Sequence, residues 1–480
     1  MEHARDKEVQ AILAAALAGC LTEQQAERLE AFGAELLRLA LLAASKRIAE
    51  LQAKLGGSAS INPATPSGQR PIYTKPSAPK RKGRPGAKTG HPGARRPLPQ
   101  RIDERKKHRL DRCPDCVGPL QRCNRTRTRT IEDILEDLRT VITEHTVERD
   151  YCPACKKHVE PVVPDAMPKA AIGHRTVALS AWLHYGVGVS LSQVRELLGT
   201  QFQTRLSDGG LVAAWQRLAE VLEPWYVQIA ELARASAHLH ADETGWRMNG
   251  QTWWLWCFAN RQVCYYLLDP SRGTAALEKF FAEAFDGVLI TDFWPAYNAF
   301  ATERQCCLVH LLRELEKVDE HNEAAEWRAF AKQLRRLVRD GIRLRKRADF
   351  DPQRYTSRIR RIDGRLMALA TGEYADADAR RLAKRLWKHC DELFTFLDHP
   401  EVPFENNLAE RMIRPAVILR KISQSNRSEK AAAVQAVLMS VYRTLKLRGL
   451  DPLATIASAL RRYLSDGELP PLPVESVADG

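Results

Sequence analysis

Two aspartates in the second half of the chain stand where apolar segments could position them for metal chemistry. Asp242 lies within His238–Thr244, which is typical of a short strand, and Asp292 ends Gly287–Asp292, which is typical of a buried strand. Carboxylates on neighbouring strands repel each other unless a cation bridges them, and an oxygen-rich site of this kind suits Mg²⁺ or Mn²⁺. Two such ions can activate a water or a 3′-hydroxyl and stabilise the leaving oxygen of a phosphodiester. The pair therefore indicates phosphoryl transfer.

A third carboxylate must come from elsewhere in the chain. The segment 403–414 contains Asn406 and Asn407, either of which can cap a helix, followed by Glu410 and Arg414 one helical turn apart. Glu405 competes with Glu410 as the third ligand. Glu410 is preferred because it lies inside the predicted helix, where its direction is fixed, but the pattern alone leaves both open.

The segments around these acids follow one another as three strands, a helix, a strand, a helix and a strand. This succession is typical of an α/β core of the ribonuclease H-like kind, with Asp242 and Asp292 on neighbouring strands. The predicted segments are strands at 238–244, 253–258, 263–268, 287–292 and 304–309, and helices at 274–285 and 296–302. Residues 311–398 are helical and basic and form a predicted insertion in this core, of which most charges belong to a solvated face and some contact DNA phosphates.

Upstream of the core, two short helices surround a turn. Ser190 is a good N-cap for 191–198, and Ser207 caps a second helix over 207–222. The pair suggests a helix-turn-helix whose second helix enters a DNA groove. An ordinary helical hairpin explains the pattern equally well.

Four cysteines precede these helices as two CxxC pairs. Cys113 and Cys116 form one pair, and Cys152 and Cys155 form the other. Two such pairs in a protein predicted to be cytosolic indicate a structural Zn²⁺ site with four thiolates, in a zinc-ribbon-like unit. The residues between the pairs, 140–151, alternate as a strand does. Four cysteines without metal are the alternative.

A proline-rich, basic segment lies before the zinc unit. Residues 58–100 contain nine prolines, and 70–101 contain ten Lys or Arg and no acid, so the segment is a predicted linker able to neutralise phosphates. Its centre resembles a minor-groove AT-hook through Lys80, Arg81, Lys82 and Arg84. An ordinary basic linker is the alternative.

The bulk composition agrees with a partner of negative charge. The net charge is +14, which favours nucleic acid. The chain has neither a secretory signal nor an apolar run long enough for a membrane helix, so a cytoplasmic protein with no membrane partner is expected. Residues 8–55 predict a helix with broken heptads, which is either a self-association segment or an amphipathic helix on its own core.

The motifs, taken in order, resemble the insertion sequence 66 family of bacterial transposases. The likeness is carried by His240–Trp246, Pro270–Gly273, Thr291–Asn298, Cys307–His310, Asn406–Arg411 with Arg414–Pro415, and Ser440–Pro452. It implies a DDE catalytic triad of Asp242, Asp292 and Glu410 holding two Mg²⁺ or Mn²⁺ ions, which moves Glu410 ahead of Glu405. Arg272, Arg411 and Arg414 are the phosphate contacts expected beside the triad. Cys307 and His310 match a C-x2-H element of the family, and packing beside the site is favoured for them over a metal or DNA role.

The resemblance also implies a function and a domain plan. We expect a multidomain α+β protein of a bacterial, nucleoid-associated kind, which binds double-stranded DNA at the element ends and at the target. A homodimer or larger synaptic complex and helper proteins of the same element are expected partners. The alternatives are a catalytically silent zinc-containing DNA-binding protein and a structure-specific nuclease of the same fold. The expected parts are an N-terminal helix (1–57), a basic linker (58–108), a zinc-ribbon-like domain (109–165), a helix-turn-helix-like domain (166–232), the DDE domain (233–446) and a C-terminal helix and tail (447–480).

Overall fold

The computed structural model describes the C-terminal two thirds of the chain. The described residues are 140–474, except Glu283, Ala301, Gln424 and Ser425, and a scattered minority between Ile102 and Ile131. The predictions for residues 1–57, for most of the linker 58–108 and for Cys113 therefore lie outside the described residues, as do those for Lys80, Arg81, Lys82 and Arg84. Residues His310–Glu323 fall outside the main compact unit and are described only by their helix.

The elements alternate between helical and extended regions along the chain. In order they are β1 (Asp150–Cys152), β2 (Lys157–Val159), α1 (His174–Ala181), α2 (Leu191–Gln201), α3 (Asp208–Arg234), β3 (His238–Met248), β4 (Gln251–Ala259), β5 (Cys264–Asp269), α4 (Thr274–Phe281), β6 (Val288–Thr291), β7 (Glu303–Cys306), α5 (Leu308–Asp319), α6 (Ala325–Arg345), α7 (Thr356–Thr371), α8 (Ala377–Lys388), α9 (Asn407–Ser423), α10 (Glu429–Leu447) and α11 (Pro452–Asp466). A π-helical turn spans Trp182–Val187, and 3₁₀ turns span Pro295–Ala299, Cys390–Glu392 and Thr395–Leu397. No helix within the described ranges is both long and apolar enough to cross a bilayer.

The main sheet has five strands in the order β5-β4-β3-β6-β7. Strand β4 is antiparallel to both β3 and β5, whereas β3, β6 and β7 are parallel to one another. The predicted succession of strands and helices is found, and the strands of Asp242 and Asp292 are neighbours as predicted. The helix predicted over 296–302 is present as a shorter 3₁₀ helix, Pro295–Ala299, whose first residue is a proline with the fixed φ that suits a helix start.

The outer edge of β5 is covered by α10. The hydroxyl groups of Ser440 and Thr444 accept hydrogen bonds from the backbone N–H groups of Tyr266 and Cys264, at 2.9 and 3.1 Å. Every member of these two pairs is buried. An edge strand with paired donors cannot recruit another strand, so the sheet ends here.

The second helix of the predicted helix-turn-helix is longer than expected. Ser207 caps α3, accepting a hydrogen bond from Gly210 N–H, but the helix continues to Arg234 instead of ending near Leu222. Pro224 lies inside it and removes one helical hydrogen bond. Burial of Trp225 and the apolar residues that follow it against the common core offsets that loss. The helix therefore packs with the sheet along much of its length.

The strand predicted over 140–151 is largely absent. Only its last two residues join β1, and 140–149 have no regular secondary structure. Val141 and Ile142 are more than nine-tenths exposed, so the alternating pattern finds no apolar surface on which to pack within the described residues. Strands β1 and β2 form a short antiparallel hairpin around Cys152 and Cys155.

The predicted helical insertion is present and returns along the free edge of β7. Helices α6, α7 and α8 pack on one another. The segment after them binds β7 through Gln305, whose amide donates to Leu393 O at 3.1 Å and accepts from Phe396 N–H at 2.9 Å. Gly341 of α6 allows this close approach, because a Cβ there would lie 2.8 Å from the ring of Phe394.

Candidate active site

The register between β3 and β6 brings Asp242 and Asp292 to the same edge of the sheet. The last paired residues are His240 and Ile290, and each aspartate lies two residues further along its strand direction. Because side chains alternate across a sheet, both aspartates extend to the face shared by His240 and Ile290. Asp292 follows the last residue of β6, where its Oδ1 accepts a hydrogen bond from Trp294 N–H at 2.8 Å. That bond fixes the turn and the carboxylate together.

The electrostatics of the pair are those of crowded, poorly solvated carboxylates. Burial, followed by the charges of Glu243 and Asp292, raises the pKa of Asp242 well above its ordinary value, and Glu410 adds to the effect. Burial and the charge of Glu243 raise the pKa of Asp292 to about 7. Because the pKa values of these acids are raised, a bound cation would stabilise their ionised forms.

Glu410 lies near Asp242, although the carboxylate oxygens of Asp242, Asp292 and Glu410 are not all within 4.8 Å of one another. It lies in the first turn of α9, and its charge is among those that raise the pKa of Asp242. Glu405 lies before the helix; burial raises its pKa, Arg411 opposes that shift, and Glu405 is not among the charges that act on Asp242. The charges that act on Asp242 favour Glu410 over Glu405 as the third carboxylate.

Asn406, the residue before α9, fixes the start of that helix against β3. Its Oδ1 accepts a hydrogen bond from His240 Nδ1 at 2.9 Å, and its Nδ2 donates to Ala241 O at 2.8 Å. Its own backbone N–H donates to Cys307 Sγ at 3.2 Å, and its carbonyl accepts from Glu410 N–H at 3.3 Å. Because burial lowers the pKa of His240 to about 4, the imidazole is neutral in this network.

Asn406 therefore connects the strand of Asp242 to the helix of Glu410. Asn406 bonds to the residue before Asp242 and to the backbone of Glu410, so one amide sets the spacing of the helix and the strand. Cys307 takes part through its sulfur. His310, its companion in the C-x2-H element, lies in the separate unit, and its role stays a prediction.

Glu243 is a buried acid that the sequence did not single out. It is 1% exposed and faces away from Asp242. Arg272 donates to its Oε1 through Nε at 3.1 Å and Nη2 at 2.9 Å, and Tyr297 donates to its Oε2 at 3.0 Å. Burial raises the pKa of Glu243 and these partners oppose the shift.

The guanidinium of Arg272 is held between two indole rings. Its Cζ lies 3.3 Å from the ring centre of Trp294 and 4.5 Å from that of Trp254. The side chain is 14% exposed. These contacts support a role in positioning the Asp292 turn, because Trp294 N–H is the donor to Asp292. A phosphate contact of Arg272 stays a prediction.

The other predicted phosphate contacts lie on α9. Arg411 and Arg414 are both exposed on that helix. Further along α9, Arg420 bonds to Thr244 Oγ1 at 3.1 Å and to Gly245 O, which joins the end of the helix to β3. Arg411 and Arg414 are therefore placed where a ligand can reach them, next to Glu410 in the same helix.

A second cluster, with no sequence signal, lies at the end of β7. Cys306, His389 and Glu392 have ligand atoms within 4.8 Å of one another. His389 Nδ1 lies 2.6 Å from Glu392 Oε2, and Arg304 pairs with both oxygens of Glu392, at 3.1 and 2.5 Å. Burial alone would raise the pKa of Glu392, but the bonds from His389 and Arg304 lower it to about 2.

This cluster fits an ion-paired connection better than a metal site. The positive guanidinium of Arg304 already neutralises the only acid, and it would repel a cation at the same oxygens. Cys306 pairs in register with Thr291, the residue before Asp292. The cluster therefore joins the end of the helical insertion to the strand next to the Asp292 strand.

Three of the four cysteines of the predicted zinc ribbon lie among the described residues. Cys116, Cys152 and Cys155 are free thiols. Cys155 N–H donates to Cys152 Sγ at 3.4 Å, and this bond is the first cause of a lowered pKa at Cys152. A backbone donor on the sulfur favours the thiolate, which is the form that binds Zn²⁺. The four-thiolate site itself stays a prediction.

The class of protein to which the chain belongs is given by comparison with known proteins. The family model described as "Transposase IS66 family" matches residues 169–434. The chain belongs to this family, which assigns it a transposase type of function and DNA as the class of its partner.

Two proteins of Sinorhizobium fredii are similar over long stretches. The uncharacterized protein y4jD is 24% identical over 401 residues, covering 74% of this chain and 75% of y4jD. The uncharacterized protein y4qI is 25% identical over 289 residues, covering 52% of each protein, so the chain matches about half the length of y4qI.

Proposed function

We propose that the chain is the DNA transposase of a bacterial insertion sequence, with Asp242, Asp292 and Glu410 as its catalytic carboxylates. It binds the terminal inverted repeats of the element, cleaves DNA at the element ends and joins the freed 3′-hydroxyl to target DNA. The observation that carries the proposal is the β3–β6 register, which brings both aspartates to one edge while Glu410 acts on the pKa of Asp242.

The sheet supports the ribonuclease H-like assignment of the core. Only β4 runs opposite to the other four strands, and the first acid lies on the central strand, β3. The parallel strand β6 follows on the side away from β4. The two acids consequently lie on the same face of a parallel strand pair, beside the start of helix α9, which Asn406 joins to β3.

The donor set fits divalent ions of the Mg²⁺ or Mn²⁺ class. The three proposed ligands are carboxylates, which such hard cations prefer. Burial, together with the charge of Glu243, raises the pKa of both Asp242 and Asp292, so a bound cation would stabilise their ionised forms. When bound, two such ions would activate the attacking hydroxyl and stabilise the leaving oxygen. The protein contributes the spacing of the acids, which Asn406 and the β3–β6 register set.

The parts upstream of the core are assigned to holding DNA. A structural Zn²⁺ ion at Cys113, Cys116, Cys152 and Cys155 would stabilise a small unit whose described residues between 140 and 160 are all exposed or half-buried. Helices α2 and α3 and the basic linker then contact the element ends. Two ends must be joined in one event, so the active form is a homodimer or a larger synaptic complex, located on the bacterial nucleoid in the cytoplasm, with helper proteins of the element as further partners.

A strand-transfer assay tests the proposal. The full chain is incubated with Mg²⁺, a target plasmid and DNA that carries the inverted repeats flanking the gene. We expect cleavage and joining by the wild type, and at least about a thousandfold loss in Asp292→Asn, because several kcal/mol of charge stabilisation disappear with the ligand.

The control is binding of the same DNA, which Asp292→Asn should retain. Persistent joining by the variant would refute the catalytic assignment. Cleavage without joining by the wild type would instead identify a nuclease, and binding without either would identify a silent DNA-binding protein.

A further inference from the structure

A groove lined by arginines lies between α6 and α7 of the helical insertion. Its volume is about 280 Å³. We call it the arginine groove and define it by its lining residues, Asp340, Arg343, Leu344, Arg347, Arg358, Arg361, Ile362 and Arg365. Leu344 and Ile362 are buried and form its base. The groove belongs to neither the carboxylate cluster nor the Cys306 cluster.

The groove has a large excess of positive charge. Its one acid, Asp340, pairs with Arg365 at 2.8 Å, and Arg347 pairs with Asp349 outside the groove at 3.0 Å. Within the described part of the chain, Arg343 and Arg361 make no ion pair, although both are exposed. The groove therefore has two lining arginines, Arg343 and Arg361, whose charge no acid among the described residues neutralises.

Packing of the neighbouring arginines fixes part of the lining. The guanidinium carbons of Arg347 and Arg358 lie 5.4 and 5.3 Å from the ring centre of Tyr355, which is itself buried. Tyr355 also donates to Asp349 at 2.5 Å. Stacked guanidinium groups lose less conformational freedom on binding, and their planar donors match the oxygens of a phosphate.

The positive surface continues along α6 beyond the groove. Lys332, Arg336, Arg339 and Arg343 recur at spacings of four, three and four residues, and all four are exposed. This spacing places them on one side of the helix. A solvated helix of ordinary composition would alternate such charges with acids, whereas Asp340 is the one acid among residues 327–345. The ligand that matches is a linear polyanion.

The end of α6 also lies beside the segment that leads to Glu410. Lys346, between groove residue Arg347 and the helix end, has its Nζ 5.9 Å from the ring centre of Phe404. Phe404 precedes Asn406 by two residues. A linear polyanion that lies along α6 and enters the groove would therefore run toward the first residues of α9.

We propose that the arginine groove binds the sugar–phosphate backbone of DNA, with Arg343 and Arg361 each neutralising one phosphate. This inference rests on the proposed function, because it gives the helical insertion a place on the DNA that the carboxylates cut. The contact is to phosphates and carries no sequence preference.

The test compares the full-length wild type with Arg343→Gln/Arg361→Gln. Binding to a duplex of about 30 base pairs of arbitrary sequence is measured across a range of NaCl concentrations without added magnesium. The slope of log K against log salt should fall in magnitude by about 1.8, at about 0.9 for each phosphate contact. That slope corresponds to about thirtyfold weaker binding at 0.15 M salt if the contacts vanish at 1 M.

The matched control is Arg360→Gln/Lys384→Gln, which removes the same charge from exposed positions on α7 and α8 outside the groove. We expect its slope to stay near that of the wild type. Equal losses in both double variants would refute the groove in favour of a general charge effect, and no loss in either would refute it outright.

A second groove variant and the separate cleavage assay keep the result interpretable. Arg358→Gln provides a second groove variant if the double variant does not fold. Because no cleavage is measured, failure of the groove is distinguishable from failure of the catalytic proposal, which the Asp292→Asn assay decides.

Discussion

Glu410→Gln should slow strand transfer about a thousandfold, whereas Glu405→Gln should keep most of it. Both acids precede or begin α9, only five residues apart, and both become amides of the same size. Glu410 acts on the pKa of Asp242, and its backbone N–H bonds to Asn406, which in turn bonds beside Asp242. Glu405 has neither link. Loss of one carboxylate ligand should cost about a thousandfold in rate.

The two variants control for each other. Each removes one negative charge at the start of the same helix, so a general electrostatic effect on DNA binding would appear in both. Strand transfer is measured with Mg²⁺ at saturating DNA, so that weak binding does not imitate a chemical defect. A large loss in Glu405→Gln with activity retained in Glu410→Gln would reverse the assignment.

Without added metal, the protein should become less stable as pH rises from about 4 to about 7. The pKa of Asp292 is raised to about 7 in the folded protein, above its value of 3.8 when unperturbed. Between these values the folded state holds a proton that the unfolded state has lost, so raising the pH favours unfolding. Above pH 7 the carboxylate is charged in both states and the loss is complete.

Asp292→Asn should remove this part of the pH dependence and raise stability at pH 8. The full shift would correspond to about 4 kcal/mol, and we expect about 2 kcal/mol because the side chain is partly exposed. The thermal midpoint should rise by about 2–3 °C. Asp286→Asn, on the exposed loop before β6, is the control and should change the midpoint little.

Magnesium should reverse the effect in the wild type alone. A cation binds the ionised carboxylates and so stabilises the folded state most above pH 7. Equal stabilisation of Asp292→Asn by Mg²⁺, or a midpoint that rises with pH in the metal-free wild type, would contradict the account of these acids.

The position of Asp242 and Asp292 on neighbouring strands could be predicted because its signal is local. Each aspartate lies in or directly after an apolar segment, and the succession of strands implies which segments are neighbours. The third acid could not be separated from Glu405 by pattern alone, since the distinction depends on the contact between Asn406 and β3. That contact joins residues far apart in the sequence.

Glu243 and the Cys306 cluster were missed for the same reason. Glu243 meets Arg272 and Tyr297, which lie 29 and 54 residues further along the chain, and Cys306 meets Glu392 after 86 residues. The periodicity of apolar residues in a sequence does not indicate contacts between residues this far apart. The adjacent acids Asp242 and Glu243 did offer one hint, because strand alternation sends them to opposite faces and the buried one then needs a partner.

The wrong predictions of helix and strand bounds have a different physical cause, which is tertiary packing. Helix α3 passes its proline because the residues beyond it are buried in the core, which outweighs the lost hydrogen bond. Residues 140–149 have the alternating pattern of a strand but find no apolar surface to cover within the described part of the chain. In both cases tertiary packing, which the local pattern does not contain, decides the outcome.

The most direct test is the location of divalent ions in crystals of the protein soaked in Mn²⁺. Anomalous difference maps show where the metal binds without any need for substrate. We expect peaks in contact with the carboxylates of Asp242, Asp292 and Glu410, and their loss in Asp292→Asn. Peaks confined to other groups, such as Cys306, His389 and Glu392, or peaks unchanged in the variant, would contradict the assignment of the three carboxylates.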